Sequence, residues 1–369
     1  MKIKKVAHHI LTDYSRAALS DYAGDPYEMR AKNPEAFEKY AAFCCLLNHP
    51  DGGLYCGVTR FNSDVFHRFD VQNHQFESLG YPKASEFFEC KIHRSLTLAA
   101  GGIIYGATAG LHLENRRLEA PGGAIFRYDP KTRQLTKLAI PVPHDYIQTI
   151  SLDEERQLIY GQTYPVFKFF VYHIADGRVE NFDFTGSISH ISAIDDQGGY
   201  WSTWNGKNHW LYRYDPAQKK INWFHHSLPN AQADANIMYA NAGPIDSMIN
   251  GGDGWLYVGT CGGSLCRLHA ESARVEYLGH PAATRRMPGL KKLRGDLLIG
   301  CCGDENGGCL FTYDKKAKHF DVLGPIVDSQ TGLSLYRTHD LEIGSNGHVY
   351  VAETDVPGRS GYLWEIELG

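Results

Sequence analysis

A repeated two-strand pattern is the feature of this sequence that most limits how the chain can fold. Each unit begins with a turn and an apolar strand, and ends with an aromatic-rich strand such as FRYDP or LYRYDP. The first part of the unit starts at Gly52, Gly101, Arg156, Gly198, Gly254, Gly295 and Gly347. Units of roughly 40 to 55 residues built from short strands are typical of β-propeller blades. The sequence therefore predicts an all-β fold, a seven-bladed β-propeller.

The last unit is too short to form a complete blade. Only two strands follow Gly347, so with the strand at HDLEIG blade seven has three strands. The N-terminal stretch KIKKVAH has the composition of a strand and belongs to no unit, so we expect it to join blade seven and close the ring. Residues 1–369 then form a single domain, with a short helical insertion predicted over 26–43.

Composition restricts the partners. The 37 Lys and Arg against 42 Asp and Glu give a net charge of −5, so neither nucleic acid nor a membrane is an expected partner. His8 and His9 interrupt the apolar run that a signal peptide needs, which predicts a cytoplasmic protein, although a leader removed earlier would leave the same pattern. Nine cysteines without CxxC spacing favour buried, reduced thiols, as for Cys301 and Cys302. The oligomeric state stays open.

The repeat also predicts which residues begin the inner strands, close to the propeller axis. His190, Asp246 and His339 fall at the same phase in blades four, five and seven, and His93 takes that position in blade two. Imidazole and carboxylate groups that converge on an axis are suitable metal ligands. His190, Asp246 and His339 are therefore candidate ligands for a divalent ion, Mn²⁺, Zn²⁺ or Ca²⁺. The alternative is a water-filled channel lined by polar residues.

The loops on the same face supply candidate binding residues. Long loops on one face of a rigid scaffold are the usual place for function. The polar, basic and aromatic residues expected there are Lys168, Trp204, Asn205, Lys207, Arg285 and Arg337. This local basic surface on an acidic protein predicts an acidic oligosaccharide as the partner.

The inventory of side chains favours elimination over hydrolysis. Glycoside hydrolysis needs two opposed carboxylic acids, and Glu114, Asp246 and Asp355 form no obvious pair. β-Elimination at a uronic acid needs a base for the C5 proton, an acid for the leaving oxygen, and a cation or hydrogen bonds for the developing enolate. Histidine, tyrosine and basic residues on the candidate face match those needs.

The stretch YGQTYPVFKFFVYHI, the seven units and the ending VAETDVPGRSGYLWEIEL resemble the seven-bladed β-propeller polysaccharide lyases. These include ulvan lyases and relatives that act on rhamnose–glucuronate or oligogalacturonate linkages. The resemblance implies β-elimination, with His93, His112 and Tyr164 in the catalytic positions. The family's neutralising arginine has no counterpart, so Lys168, Arg285 or Arg337 is expected to replace it. The HxH pattern of the manganese-dependent oligogalacturonate branch is missing near the chain end.

Two other classes of function remain open on the sequence. One is a non-catalytic propeller that binds glycans or a protein through the same face. The other is a propeller hydrolase or lactonase that depends on the axial metal. The identity of the sugar, the endo or exo mode, and the assignment of base and acid are not determined by the sequence.

Overall fold

The fold is described from a computed structural model, which covers residues 1–12, 38–61, 63–81, 88–110, 114–187, 189–205, 208–229 and 245–369. Seven four-stranded antiparallel sheets form the blades; in six of them the strands pair in sequence order, and in the seventh the N-terminal strand pairs with the C-terminal strand. The seven-bladed β-propeller predicted from the repeat is confirmed.

The strands of blades one to four are β2 Ala42–Asn48, β3 Gly53–Thr59, β4 Phe66–Asp70 and β5 Gln75–Ser78; β6 Leu96–Leu98, β7 Ile104–Ala107, β8 Ile125–Asp129 and β9 Gln134–Ala139; β10 Tyr146–Asp153, β11 Leu158–Tyr164, β12 Lys168–His173 and β13 Val179–Phe184; β14 Ala193–Ile194, β15 Tyr200–Trp204, β16 Trp210–Asp215 and β17 Lys220–Ser227. Those of blades five to seven are β18 Ile245–Asn250, β19 Trp255–Thr260, β20 Leu265–His269 and β21 Val275–Gly279; β22 Gly289–Arg294, β23 Leu297–Asp304, β24 Gly307–Asp314 and β25 His319–Pro325; β26 Thr338–Ile343, β27 Val349–Glu353 and β28 Leu363–Leu368. Short 3-10 helices span Ala100–Gly102 and Glu114–Glu119.

The N-terminal strand closes the ring as predicted. β1, Ile3–His9, pairs antiparallel with β28 and becomes the outermost strand of blade seven, with Val6 opposite Ile366 and His9 opposite Leu363. Val6 is 2% exposed and packs in the same apolar cluster as Ile366. The pairing satisfies the backbone groups of β28 that would otherwise form an open edge.

Glycine in the second strand of several blades is required by packing. A Cβ atom at Gly106 would lie 2.2 Å from Cζ of Phe126 on the adjacent strand, and Gly161 has the same relation to Phe170. The phenylalanine ring covers the glycine, so any side chain there would displace it. The glycine shared by the segments IYGAT and IYGQT is therefore explained by a close contact between neighbouring strands.

The turns between the first and second strands, on the face opposite the predicted site, repeat a hydrogen bond. The hydroxyl groups of Tyr55 and Tyr257 donate to Asp51 at 2.8 Å and to Asp253 at 3.0 Å. The buried tyrosines of the second strands thus fix the acidic turn that precedes them.

The helical insertion predicted over 26–43 falls largely outside the described residues. Residues 38–39 are helical, whereas Ala42 and Phe43 already belong to β2, because both are buried where blade one begins. Among the described residues, no helix is long and apolar enough to cross a membrane. Cys301 and Cys302 are fully buried, as expected.

Candidate functional site

Three histidines from blades two, four and seven meet at one end of the propeller axis. The ring centroids of His93 and His339 are 4.9 Å apart, and those of His93 and His190 are 5.8 Å apart. All three side chains are buried. The repeat phase predicted this meeting, because each residue begins the inner part of its own blade.

The hydrogen bonds of these rings fix where their protons lie. Nδ1 of His93 donates to the carbonyl oxygen of Gln148 at 2.8 Å, and Nδ1 of His339 donates to that of Cys44 at 2.7 Å. Because a carbonyl oxygen only accepts, Nδ1 carries the proton in both rings and Nε2 keeps a lone pair when the ring is neutral. Burial lowers the pKa of both histidines well below the usual value, and the nearby Lys91 lowers it further. Both rings are therefore neutral bases at pH 7.

Asp246 and Arg286 hold the third histidine. Nδ1 of His190 lies 2.8 Å from Oδ1 of Asp246, and the Arg286 guanidinium contacts both carboxylate oxygens at 2.9 and 3.1 Å. Burial alone would raise the pKa of Asp246, but Arg286 and His190 outweigh it and lower that pKa below the usual range. The carboxylate is therefore ionised and orients His190 with its Nδ1 protonated.

The predicted metal ligands His190, Asp246 and His339 therefore lie in one region, but the three do not all contact one another. His190 and Asp246 touch, and Cys261 lies with them so that one ligand atom from each is within 4.8 Å of the others. Both oxygens of Asp246 are already bonded, and burial raises the pKa of the Cys261 thiol. His339 lies instead beside His93. In this geometry Asp246 orients a histidine.

Two basic residues beside His93 were missed by the sequence analysis. Arg94 extends across the axis and donates to the carbonyl oxygens of His339 and, at 2.6 Å, of Pro288; its guanidinium also lies 3.3 Å from Asp340. Lys91 lies close enough to depress the pKa of His93 and His339. Both are sequence neighbours of His93, so examining residues on either side of each inner position would have found them.

The remaining catalytic candidates occupy the rim of blade three or lie outside the described residues. Tyr164 ends β11, is register partner of Tyr146 on β10, and its ring lies 5.1 Å from that of Tyr146. Gln148, which binds His93, follows Tyr146 on the same strand. Tyr164 therefore lies at the end of blade three that faces the histidines. His112 lies outside the part of the chain that the structure describes.

The predicted binding residues are distributed around this face, and several are engaged. The Trp204 indole donates to the carbonyl of Phe224 at 3.0 Å and packs 5.0 Å from Trp223 on the outer strand. Arg337 lies 3.4 Å from Glu305 and 3.5 Å from Asp355. These ion pairs engage the Arg337 guanidinium, as the shorter contacts with Asp246 engage that of Arg286.

Three of the other four predicted binding residues lie at separate positions around the propeller. Lys168 begins β12 in blade three, opposite Phe184. Asn205 follows β15, with a left-handed backbone at φ 63°. The backbone N–H of Arg285 donates to Asp304 at 3.1 Å. Lys207 lies outside the described residues. The positions of Lys168, Asn205 and Arg285 alone define no common binding surface.

No family model and no curated protein matches the sequence. Solved structures match the fold. A streptogramin B lyase structure superposes with a TM-score of 0.63 and 14% identity, covering 89% of this chain and 94% of that chain. Catalytically inactive virginiamycin B lyase from Staphylococcus aureus with quinupristin gives 0.64 and 14%, covering 89% and 96%. The WD40 repeats of RRP9 give 0.60 and 11%, covering 88% and 94%.

These neighbours establish a class, the seven-bladed β-propeller proteins, and at such identities they show the fold alone. Some of them are lyases and one is a WD40 protein. The chemistry of this chain has to be argued from its own axial residues.

Proposed function

We propose that this protein is a lyase that cleaves a uronic-acid-containing oligo- or polysaccharide by β-elimination. The observation that carries the proposal is the fixed tautomer of His93. Its Nδ1 proton is held by the carbonyl of Gln148, so Nε2 is an unprotonated nitrogen in a ring whose pKa is lowered by burial. A neutral imidazole with a fixed orientation can act as the general base that proton abstraction next to a carboxylate needs.

The positive charges around His93 support an acidic substrate. Lys91 lies near His93 and His339, and Arg286 lies near His190. A cation beside the uronate carboxylate stabilises the negative charge that develops as the C5 proton leaves. Because Arg286 is already paired with Asp246, Lys91 takes the neutralising role, for which the sequence suggested Lys168, Arg285 or Arg337.

The proposed reaction has three coupled changes. Nε2 of His93 takes the C5 proton, and the electron pair of that bond forms the C4–C5 double bond. The C4–O bond breaks, and the leaving oxygen takes a proton from the hydroxyl of Tyr164. A solvent proton restores Tyr164, and His93 releases its proton to solvent.

A divalent metal ion bound at the axis is an alternative proposal for the same site. Nε2 of His93, His190 and His339 would be the ligand atoms, since Asp246 is bonded to Arg286 and His190. These rings would have to move closer to share an ion, because among the described residues the set at the axis with ligand atoms within 4.8 Å of one another is His190, Asp246 and Cys261. Each Nδ1 is held by an oxygen, as is usual for histidine metal ligands. A bound ion would supply charge stabilisation for the substrate carboxylate. Such a site suits a metal-dependent hydrolase or lactonase as well as a lyase.

The test is a screen of uronate-containing oligosaccharides for the ultraviolet absorbance of an unsaturated uronate, with and without EDTA. Activity should survive EDTA if His93 is the base, and should disappear if the three histidines hold an essential ion. His93→Gln should lower the rate by at least about 10²-fold, the scale of general base catalysis. The matched control His319→Asn changes an exposed histidine on blade six and should leave the rate unchanged.

Three outcomes would contradict the proposal. Folded protein that gives no unsaturated product from any uronate substrate, yet binds these glycans, would favour a binding propeller. Turnover without unsaturated product that EDTA abolishes would favour a hydrolase or lactonase. A complex structure with the uronate carboxylate far from Lys91 would refute its neutralising role.

A further inference from the structure

A second histidine cluster lies at the ring closure, on the face opposite the axial histidines. His9 belongs to β1, Glu365 to β28, and His74 to the turn between β4 and β5 of blade one. Nε2 of His9 lies 2.7 Å from Oε2 of Glu365, and Nε2 of His74 lies 3.5 Å from the same oxygen. One ligand atom from each of the three residues lies within 4.8 Å of the other two.

The cluster is accessible from outside. It lines a groove of about 440 Å³ between blades seven and one, and the His74 side chain is 50% exposed. Glu365 is 7% exposed and sits at the base. An ion in solution can therefore reach a buried carboxylate flanked by two imidazoles.

We propose that His9, His74 and Glu365 bind a divalent first-row transition metal such as Zn²⁺, with solvent in the remaining position. Metal–ligand bonds of about 2.0–2.1 Å in a tetrahedron separate neighbouring ligand atoms by about 3.3 Å. The contact between His74 and Glu365 is already close to that separation, and the 2.7 Å contact between His9 and Glu365 needs about 0.6 Å of expansion. Two imidazoles and one carboxylate form a frequent donor set for zinc.

The surroundings of Glu365 fix the orientation of its carboxylate. Nδ1 of His348 and the Tyr350 hydroxyl bind the other oxygen, Oε1, at 2.7 and 2.9 Å, and the Asn346 amide lies 3.3 Å from it. Although burial opposes ionisation, bonds from His9, His348 and Tyr350 lower the pKa of Glu365 to about 2. The carboxylate is thus ionised, and Oε2 is left to the two histidines. Partners that orient a ligand in this way strengthen metal binding.

Metal binding has a definite proton balance. Without metal, Nε2 of His9 carries the proton that it donates to Glu365. The ion takes that place, so Nε2 must lose the proton, which passes to Nδ1 of the same ring when the imidazole is neutral and to solvent when the ring is doubly protonated. The bound ion would tie β1 and β28 to blade one across the closure.

The experiment is a calorimetric titration of the full chain with Zn²⁺ in two buffers of different ionisation enthalpy, together with the Co²⁺ absorption spectrum. The test variant is His74→Asn, because His74 has φ 56° and asparagine tolerates that backbone. His319→Asn is the control, since His319 is an exposed histidine on blade six. The wild type should bind one ion more than His74→Asn, or bind it at least about 10-fold more tightly.

Zn²⁺ should also raise the Tm of wild type and of the control by more than that of His74→Asn. The variant comparison separates this site from the axial histidines, which are present in all three proteins. Equal stoichiometry and affinity in wild type and His74→Asn would overturn the proposal. So would the absence of any Zn²⁺ binding, or anomalous diffraction that places the ion away from Glu365.

Discussion

Removing Arg286 should destabilise the protein strongly, because it leaves a buried negative charge. Asp246 is fully buried and Arg286 is 6% exposed, with both carboxylate oxygens bonded to the guanidinium. Breaking a buried pair by removing one partner costs about 3–5 kcal/mol. Arg286→Met should therefore lower the free energy of unfolding by that amount at pH 7. With an unfolding entropy of about 2.1 cal/mol/K per residue, the Tm of a 369-residue chain should fall by about 4–6 °C.

The loss of unfolding free energy in Arg286→Met should depend on pH in a definite direction. In the wild type the lowered pKa of Asp246 contributes stability above the unfolded pKa of about 3.9, which is lost only as pH falls below it. In Arg286→Met burial opposes ionisation without the guanidinium, so the pKa of Asp246 is raised and its carboxyl group takes up a proton at a higher pH than in the wild type. The difference in unfolding free energy between the two proteins should therefore shrink from pH 7 to pH 4.

Urea denaturation at both pH values measures these effects. The double variant Arg286→Met with Asp246→Asn removes both charges and should be more stable than Arg286→Met alone. Lys4→Met, which breaks an exposed pair with Glu367, is the control and should change the free energy of unfolding by less than about 1 kcal/mol. A loss below about 1 kcal/mol in Arg286→Met, or a double variant that is no more stable, would refute the reasoning.

Three further measurements test packing and titration. Gly106→Ala should cost about 1–3 kcal/mol in urea denaturation because its Cβ would meet Phe126, and adding Phe126→Leu should recover part of the loss; full stability of Gly106→Ala would contradict this. Native protein should react with DTNB at no more than one thiol, Cys309, since the other eight cysteines are buried, whereas denatured protein should show nine. Burial lowers the pKa of His67 and His209 to about 4, so unfolding free energy should fall as pH drops from about 6.5 towards 4, and less steeply in His67→Gln; a pH-independent value would contradict it.

The sequence repeat was sufficient to predict the architecture. Turn and strand chemistry recurs in every unit, so local signals located all seven blades, and the missing strand of blade seven predicted the pairing of β1 with β28. The same phase predicted that His93, His190 and His339 would approach the axis. Periodicity carries this information because equivalent positions in a propeller occupy equivalent places around one axis.

Contacts made by long side chains could not be predicted from the periodicity of the sequence. Arg286 and Arg94 lie one residue from the inner positions, and their long side chains select Asp246 and the carbonyls of other blades only once the ring exists. The cluster of His9, His74 and Glu365 joins residues that are remote in sequence. Nothing in the local pattern at His74 distinguishes it from an ordinary exposed turn residue.

Arg94 extends across the propeller axis beside the axial histidines. Its guanidinium spans from blade two to the carbonyls of His339 and Pro288, and beneath it lies a separate chamber of about 100 Å³ bounded by Lys291 and Asp340. Among the described residues, Arg94 therefore stands between the axial histidines and this chamber. Under the proposed function, a sugar chain would reach His93 from the histidine side of Arg94 and leave on that same side.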